Sequence, residues 1–245
     1  MSRIIPFLFL IGLSFSSSAQ QEPGHYCRMG KQGSFTLSSS AATSTEDSVH
    51  IQHYDIQIDS LSFTQQKIWG ITTLTIESKV DGLDHLILML DGFTVDSVMG
   101  WNQENLLFSY DNLHLIIGLS STLNIGEIDT VQVIYHGSPA QDPSGWGGYY
   151  WNGSNYAFNM GVGFEEDPHV FGRAWFPCLD VFTDRATYDF HIWVPEDYQA
   201  FCNGELSSVD NHPNGSSTYH WHLGQTIPTY LASMAVAEYH FLERT

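Results

Sequence analysis

From residue 49 onward the apolar residues of this chain recur at every second position, in one short run after another. Tyr54, Ile56 and Ile58 alternate with Asp55, Gln57 and Asp59. A repeat of two sorts side chains onto the two faces of an extended strand, whereas a helix needs a repeat of 3.6. Leu74 and Ile76 resume the pattern after a turn expected at Gly70. Leu86, Leu88 and Leu90 follow, closed by Asp91-Gly92, a pair suited to a tight hairpin. Further strands are expected at 95–98, 106–110, 113–119, 131–135, 188–194 and 219–223. No window sustains a helical period over three turns. Many short strands at roughly ten-residue spacing define an all-β chain, antiparallel or mixed, folded as a sandwich or saddle.

The beginning of the chain is different. Arg3 precedes an uncharged apolar run from Ile4 to Phe15, and Ser16, Ser17, Ser18 and Ala19 follow. A short apolar run between a cation and small residues has the form of a secretory signal peptide over residues 1–19, cut after Ala19. A retained membrane anchor is the alternative, for which the run is short. Cys27 follows Gly24, His25 and Tyr26 instead of an apolar-small tetrad, so no lipid attachment is expected there. Residues 20–47 hold too little apolar surface to offset the entropy of ordering and are expected to form a disordered linker. That leaves 48–245 as one β domain, secreted or periplasmic/extracellular, with no membrane contact after cleavage.

Charge narrows the partners. Eight Lys and Arg stand against 27 Asp and Glu, for a net charge of −19, and no Lys or Arg occurs between Lys79 and Arg173. Such a surface repels a phosphate backbone, so no nucleic-acid partner is expected. The excess acid reads first as solubility in an extracellular setting. Three cysteines permit one internal disulfide in an exported protein. Cys178 and Cys202, both in the strand-rich part, are the expected pair, with Cys27 left over.

Residues 138–155 interrupt the alternation with Gly, Pro, Ser and aromatic residues centred on Gly145-Trp146-Gly147-Gly148-Tyr149-Tyr150-Trp151. A long loop is expected. Its rings either cover the end of the sandwich or form an exposed surface for sugar or peptide.

Chemistry concentrates further on. Phe164-Glu165-Glu166-Asp167-Pro168-His169 leads into Gly172-Arg173-Ala174-Trp175-Phe176-Pro177-Cys178-Leu179-Asp180. Arg185-Ala186-Thr187-Tyr188, Asn203-Gly204 and Pro228-Thr229-Tyr230-Leu231-Ala232-Ser233-Met234 follow in turn. Arg173 and Asp180, seven apart around a Pro turn, read as a buried ion pair or as an Arg bonded to turn carbonyls. In order and spacing these segments resemble the N-terminal domain of aminopeptidase N-like (gluzincin) zinc metallopeptidases, over roughly residue 49 to the C-terminus. Val181-Phe182 stand where that family has Glu-Pro, Arg185 stands for Lys, and two extra residues lie between Glu165 and Arg173. The resemblance implies a β-sandwich or saddle that lends one carboxylate to a neighbouring active site, where it holds a peptide's α-ammonium group. Glu165, which follows an aromatic residue, is the expected anchor and Glu166 its alternate.

The zinc chemistry of that family is not encoded here. Two His at i and i+4 with an adjacent Glu are needed, and none of the twelve His begins a His-Glu-x-x-His. Nor does Gly-x-Met-Glu-Asn occur. His220 and His222 share one face of a strand without an evident third ligand. The chain is therefore expected to bind no cofactor of its own and to be inactive alone. Its expected partners are a C-terminal catalytic domain, missing here and carrying the zinc, and the N-terminus of a peptide substrate. The other reading is a stand-alone binding module for glycan or peptide, using Trp146, Tyr149, Tyr150 and Trp151.

Overall fold

The structure, a computed structural model, describes residues 45–240. The expected signal peptide, most of the expected linker and Cys27 lie outside the described residues. Thr45–Ser48 is a single helical turn that leads into the first strand. Among the described residues no helix is long and apolar enough to cross a membrane.

Fourteen strands follow among the described residues. The first seven are β1 (Val49–Ser62), β2 (Lys67–Ser78), β3 (Leu83–Met89), β4 (Thr94–Gly100), β5 (Phe108–Tyr110), β6 (His114–Leu123) and β7 (Ile128–Gly137). Then come β8 (Gly147–Asn152), β9 (Tyr156–Gly163), β10 (Ala186–Val194), β11 (Gln199–Cys202), β12 (Glu205–Asn211), β13 (Ser217–Ile227) and β14 (Met234–Ala237). They form a seven-stranded sheet in the order β12-β13-β10-β1-β2-β7-β4, a four-stranded sheet β11-β14-β9-β8 and a three-stranded sheet β3-β6-β5. The fold is all-β, as the alternation requires. It is mixed, because β1 runs parallel to β10, from His53 opposite Thr187 to Ile58 opposite Ile192.

The alternation has its expected consequence in the seven-stranded sheet. Tyr54, Ile56 and Ile58 of β1, Leu74 and Ile76 of β2, and Tyr188, Phe190 and Ile192 of β10 are all fully buried. They belong to one cluster with Leu86, Leu88, Leu115 and Ile117 of the three-stranded sheet and with Trp175 and Phe176. Each such side chain contributes about 1.5–3 kcal/mol over its exposed state. The rings interlock: Tyr54 stacks on Tyr188 at 5.2 Å and meets the edge of Phe176 at 5.6 Å.

Several expectations need correction. Gly70 is not in a turn but in the middle of β2, where a Cβ would come within 2.6 Å of the Tyr135 ring. The bare backbone lets Tyr135 cross the strand, donate to the Trp175 carbonyl at 3.1 Å and accept from Thr72 at 3.4 Å. The strand expected at 106–110 is pared down to Phe108–Tyr110. The expected long loop contains a strand, β8, which pairs with the unforeseen β9. The Cys178–Cys202 disulfide is not formed; both thiols are free. Cys178 is exchanged with Met89 in an isolated bridge and is fully buried. Cys202 ends β11, opposite Met234 in the four-stranded sheet. The two cysteines are held by different partners, and burial raises both thiol pKa values.

Candidate functional site

The segment between β9 and β10 is built on a buried charge cluster. Gly172–Ala174 forms a 3-10 turn whose backbone amides at Gly172 and Arg173 donate to the Asp180 carboxylate at 3.2 and 3.3 Å. The Thr229 hydroxyl donates to the same carboxylate at 2.7 Å, and so does Nη1 of Arg173, also at 2.7 Å. Arg173 further donates to the Val170 carbonyl at 2.7 Å and lies 5.0 Å from the centroid of the Phe171 ring. Asp180 is 3% exposed and Arg173 8% exposed. Both readings of this pair, ion pair and carbonyl clamp, are therefore realised at once. Such a pair holds its geometry because every lone pair and proton taken out of water finds a partner.

The remaining guanidinium nitrogen sets the two glutamates apart. Nη2 of Arg173 is paired with Oε2 of Glu166, whose side chain is only 27% exposed. Glu166 is thus consumed by the scaffold. Glu165, one residue earlier, is exposed. Its backbone amide is fixed all the same, donating to Oδ2 of Asp142 at 3.1 Å. The other oxygen of Asp142 accepts from the amide of Ser144 at 2.9 Å and from its hydroxyl. Burial pushes the Asp142 pKa upward, but the donations from Ser144 and Glu165 outweigh it and hold the carboxyl below its ordinary range.

Close in sequence to the two acids, apolar side chains are exposed. Phe164, 68% exposed, and Trp146, 60% exposed, line an open depression together with Ser144. His169 packs over Phe164 with ring centroids 6.4 Å apart and hydrogen-bonds through Nδ1 to the Gly163 carbonyl at 3.1 Å. The four aromatics expected as a binding platform do not share a surface. Tyr149 is 1% exposed, and Trp151 packs against the core with its ring 5.0 Å from that of Tyr149. Tyr150 stacks on Phe158 at 4.8 Å and uses its hydroxyl to donate to the Gly145 carbonyl at 3.0 Å and accept from the Gly147 amide at 2.5 Å.

Asp142 and the Trp146–Phe164 pair were not singled out in the sequence. Asp142-Pro143-Ser144-Gly145 carries a signal for Asp142, an Asp followed by Pro, Ser and Gly that favours a side-chain-closed turn. Among the described residues no three His, Cys, Asp or Glu side chains converge on a point that would hold a metal.

A mixed β domain thus fixes an acid-bearing loop at its surface by buried charge, with apolar side chains exposed beside it. The chain belongs to the peptidase M1 N-terminal domain family, whose model matches residues 50–231. It is similar in fold to the M1 zinc metallopeptidase from Deinococcus radiodurans, at 23% identity and a TM-score of 0.67 over 78% of this chain and 42% of that one. A two-domain M1 zinc metallopeptidase bound to L-arginine matches at 23% identity and a TM-score of 0.68, over 78% and 42%. Leukotriene A4 hydrolase from Saccharomyces cerevisiae matches at 19% identity and a TM-score of 0.59, over 78% of this chain and 29% of that one. The chain thus spans less than half the length of these solved relatives.

Proposed function

We propose that this chain is the non-catalytic N-terminal domain of an exported zinc metallo-aminopeptidase, and that Glu165 holds the α-ammonium group of the peptide substrate. The observation that carries the reading is the contrast between neighbours. Glu166 is spent on Arg173, whereas Glu165 has a fixed backbone and an exposed carboxylate. A cationic amine leaving water needs a fixed anion within hydrogen-bond reach, and that contact also sets which peptide bond lies at the cleavage centre. Trp146 and Phe164 would close over the amine and exclude water. The relative bound to L-arginine holds a ligand with such an α-amino group, which supports the reading.

Zinc belongs, in this reading, to a catalytic domain that packs against the Glu165 edge. The described residues supply no set of three metal ligands, so no metal-dependent step is assigned to them. Alone, the chain should not release the amine from amino-acid anilides when zinc is added. Assembled with its catalytic domain, Glu165→Ala should raise KM for an anilide with a free α-amine by about 10- to 100-fold, the worth of one hydrogen bond to a charged group. An unchanged KM would remove Glu165 from this role.

A further inference from the structure

The outer face of the seven-stranded sheet carries an arrangement that the Glu165 site does not use. On the neighbouring strands β1, β10, β13 and β12, Asp55, His191, His220 and Asp210 form a row. His191 lies directly opposite His220 across the β10–β13 ladder. The Nδ1 atoms of the two rings face one another at 2.6 Å, with ring centroids 4.8 Å apart and planes inclined by 58°. The far nitrogen of each ring meets a carboxylate: Nε2 of His191 lies 3.4 Å from Oδ1 of Asp55, and Nε2 of His220 lies 3.2 Å from Oδ2 of Asp210. Both rings are about one-quarter exposed, 27% and 24%, so the contact between them is partly buried.

The two carboxylates fix the chemistry at the centre. An imidazole that donates from Nε2 carries its lone pair on Nδ1. With both rings in that tautomer, two lone pairs point at one another across 2.6 Å, and a cation between them removes the repulsion without either ring giving up its carboxylate, as one must if it moves its proton to Nδ1. A proton is one such cation. A transition-metal ion is the other, and a ligating His whose second nitrogen donates to a carboxylate is the usual outer-shell pattern of metal sites. Metal–imidazole bonds of about 2.0–2.1 Å place two adjacent ligand nitrogens about 2.9–3.3 Å apart, so small rotations of the two rings open the site. The field favours a cation as well. No Lys or Arg occurs on β1, β10, β12 or β13, within a chain of net charge −19.

We propose that His191 and His220 bind one divalent late transition-metal ion through their Nδ1 atoms, with Asp55 and Asp210 orienting the rings and water completing the coordination. Because only two protein ligands are present, affinity follows the order of imidazole complexes, tightest for Cu2+ and weaker for Zn2+ and Ni2+. Hard cations such as Mg2+ and Ca2+, which take oxygen ligands, are not held.

The test is a titration of the tag-free full chain with Cu2+, followed by calorimetry and by electron paramagnetic resonance, which counts coordinated nitrogens. One ion per chain with two imidazole nitrogens is expected. His191→Asn or His220→Asn should weaken binding at least about tenfold and leave a single-nitrogen spectrum, and Asp210→Asn should weaken it by about tenfold through the lost outer shell. His85→Ala, which removes a histidine paired only with its neighbour Asp84, should change nothing. Folding of each variant is checked by circular dichroism; if the Asn variants fail to fold, protection of the His191 and His220 rings from diethylpyrocarbonate by Cu2+ on the unaltered chain replaces them. Binding unchanged in both His variants, no protection of these rings, or displacement of Cu2+ by equimolar Ca2+ would overturn the proposal.

Discussion

The loop that carries Glu165 and the outer face of the seven-stranded sheet both pair carboxylates with basic side chains, but they use the pairs in opposite ways. At the loop the pair is Arg173–Asp180, almost wholly buried and satisfied by two backbone amides, a hydroxyl and a carbonyl. On the sheet face the partners are histidines, partly exposed, each with one carboxylate: His53 and His222 with Asp189, His191 with Asp55, His220 with Asp210. A permanent charge in a dry site fixes a backbone. A titratable charge in a wet site fixes little and responds to its surroundings. The difference makes the loop that carries Glu165 the more firmly held of the two regions.

The largest effect should come from breaking the buried pair. Asp180→Ala leaves Arg173 without its main counter-charge in a site that excludes water, together with two backbone amides that lose their acceptor. A loss of about 3–5 kcal/mol is expected in urea denaturation. Limited proteolysis should then cut between β9 and β10, where the unaltered chain resists. A loss below about 1 kcal/mol would mean that the loop is held by other contacts and that the contrast with the sheet face is overdrawn.

How much of this could be read from the residues follows the same division. β1 and β10 were legible because their inward positions are Tyr54, Ile56, Ile58, Tyr188, Phe190 and Ile192, large apolar groups at a repeat of two. β9 was not, although it alternates just as strictly in burial. Its inward positions are Ala157, Asn159, Gly161 and Gly163, too small or too polar to register as an apolar period. Asn159 is tolerated there because its side chain bridges the Ala232 carbonyl at 3.0 Å and the Met234 amide at 2.7 Å. β8 begins with Gly147 and Gly148 at positive φ, residues that propensity assigns to turns. β12 is an exposed edge with no buried face, held by its ladder with β13. At the site, the Arg173–Asp180 pairing could be read from its spacing, and Glu165 only from the family resemblance. Asp142 lies 23 residues from the amide it fixes, a distance at which local pattern carries no information.

The two regions should also separate with pH. The hydrogen bond to Asp55 raises the His191 pKa, against burial, so the charged ring is favoured in the fold. Its contribution is fully present below the unfolded value of about 6.5 and is lost as pH rises through the folded value. Asp142 behaves conversely. Its pKa is lowered, so its contribution is present above the unfolded carboxyl value and is lost as pH falls through the folded one. In metal-free buffer, the protection of the Glu165 amide, its exchange rate divided into the intrinsic rate at the same pH, should fall in acid while staying flat between pH 6 and 8. Global stability should decline across that upper window by less than about 1 kcal/mol, as suits a partly exposed pair. Asp55→Asn should flatten the decline. A Glu165 amide whose protection falls toward pH 8 would contradict the assignment of its anchor to Asp142.

The smallest expected effect on stability is the most informative about function. Glu165→Gln removes a charge from a side chain that is exposed, while the backbone amide that holds the residue in place is untouched. Surface changes of this kind fall within about 0.5 kcal/mol. Glu166→Gln, one position on, weakens the partner of a buried guanidinium and should cost more. Two adjacent, chemically identical substitutions should therefore diverge: the first silent in thermal unfolding and costly only to the binding of a free α-amine, the second visible in unfolding. If Glu165→Gln destabilises the chain as much as Glu166→Gln does, then its carboxylate is part of the scaffold. A carboxylate already engaged in holding the loop has no free charge with which to hold a substrate.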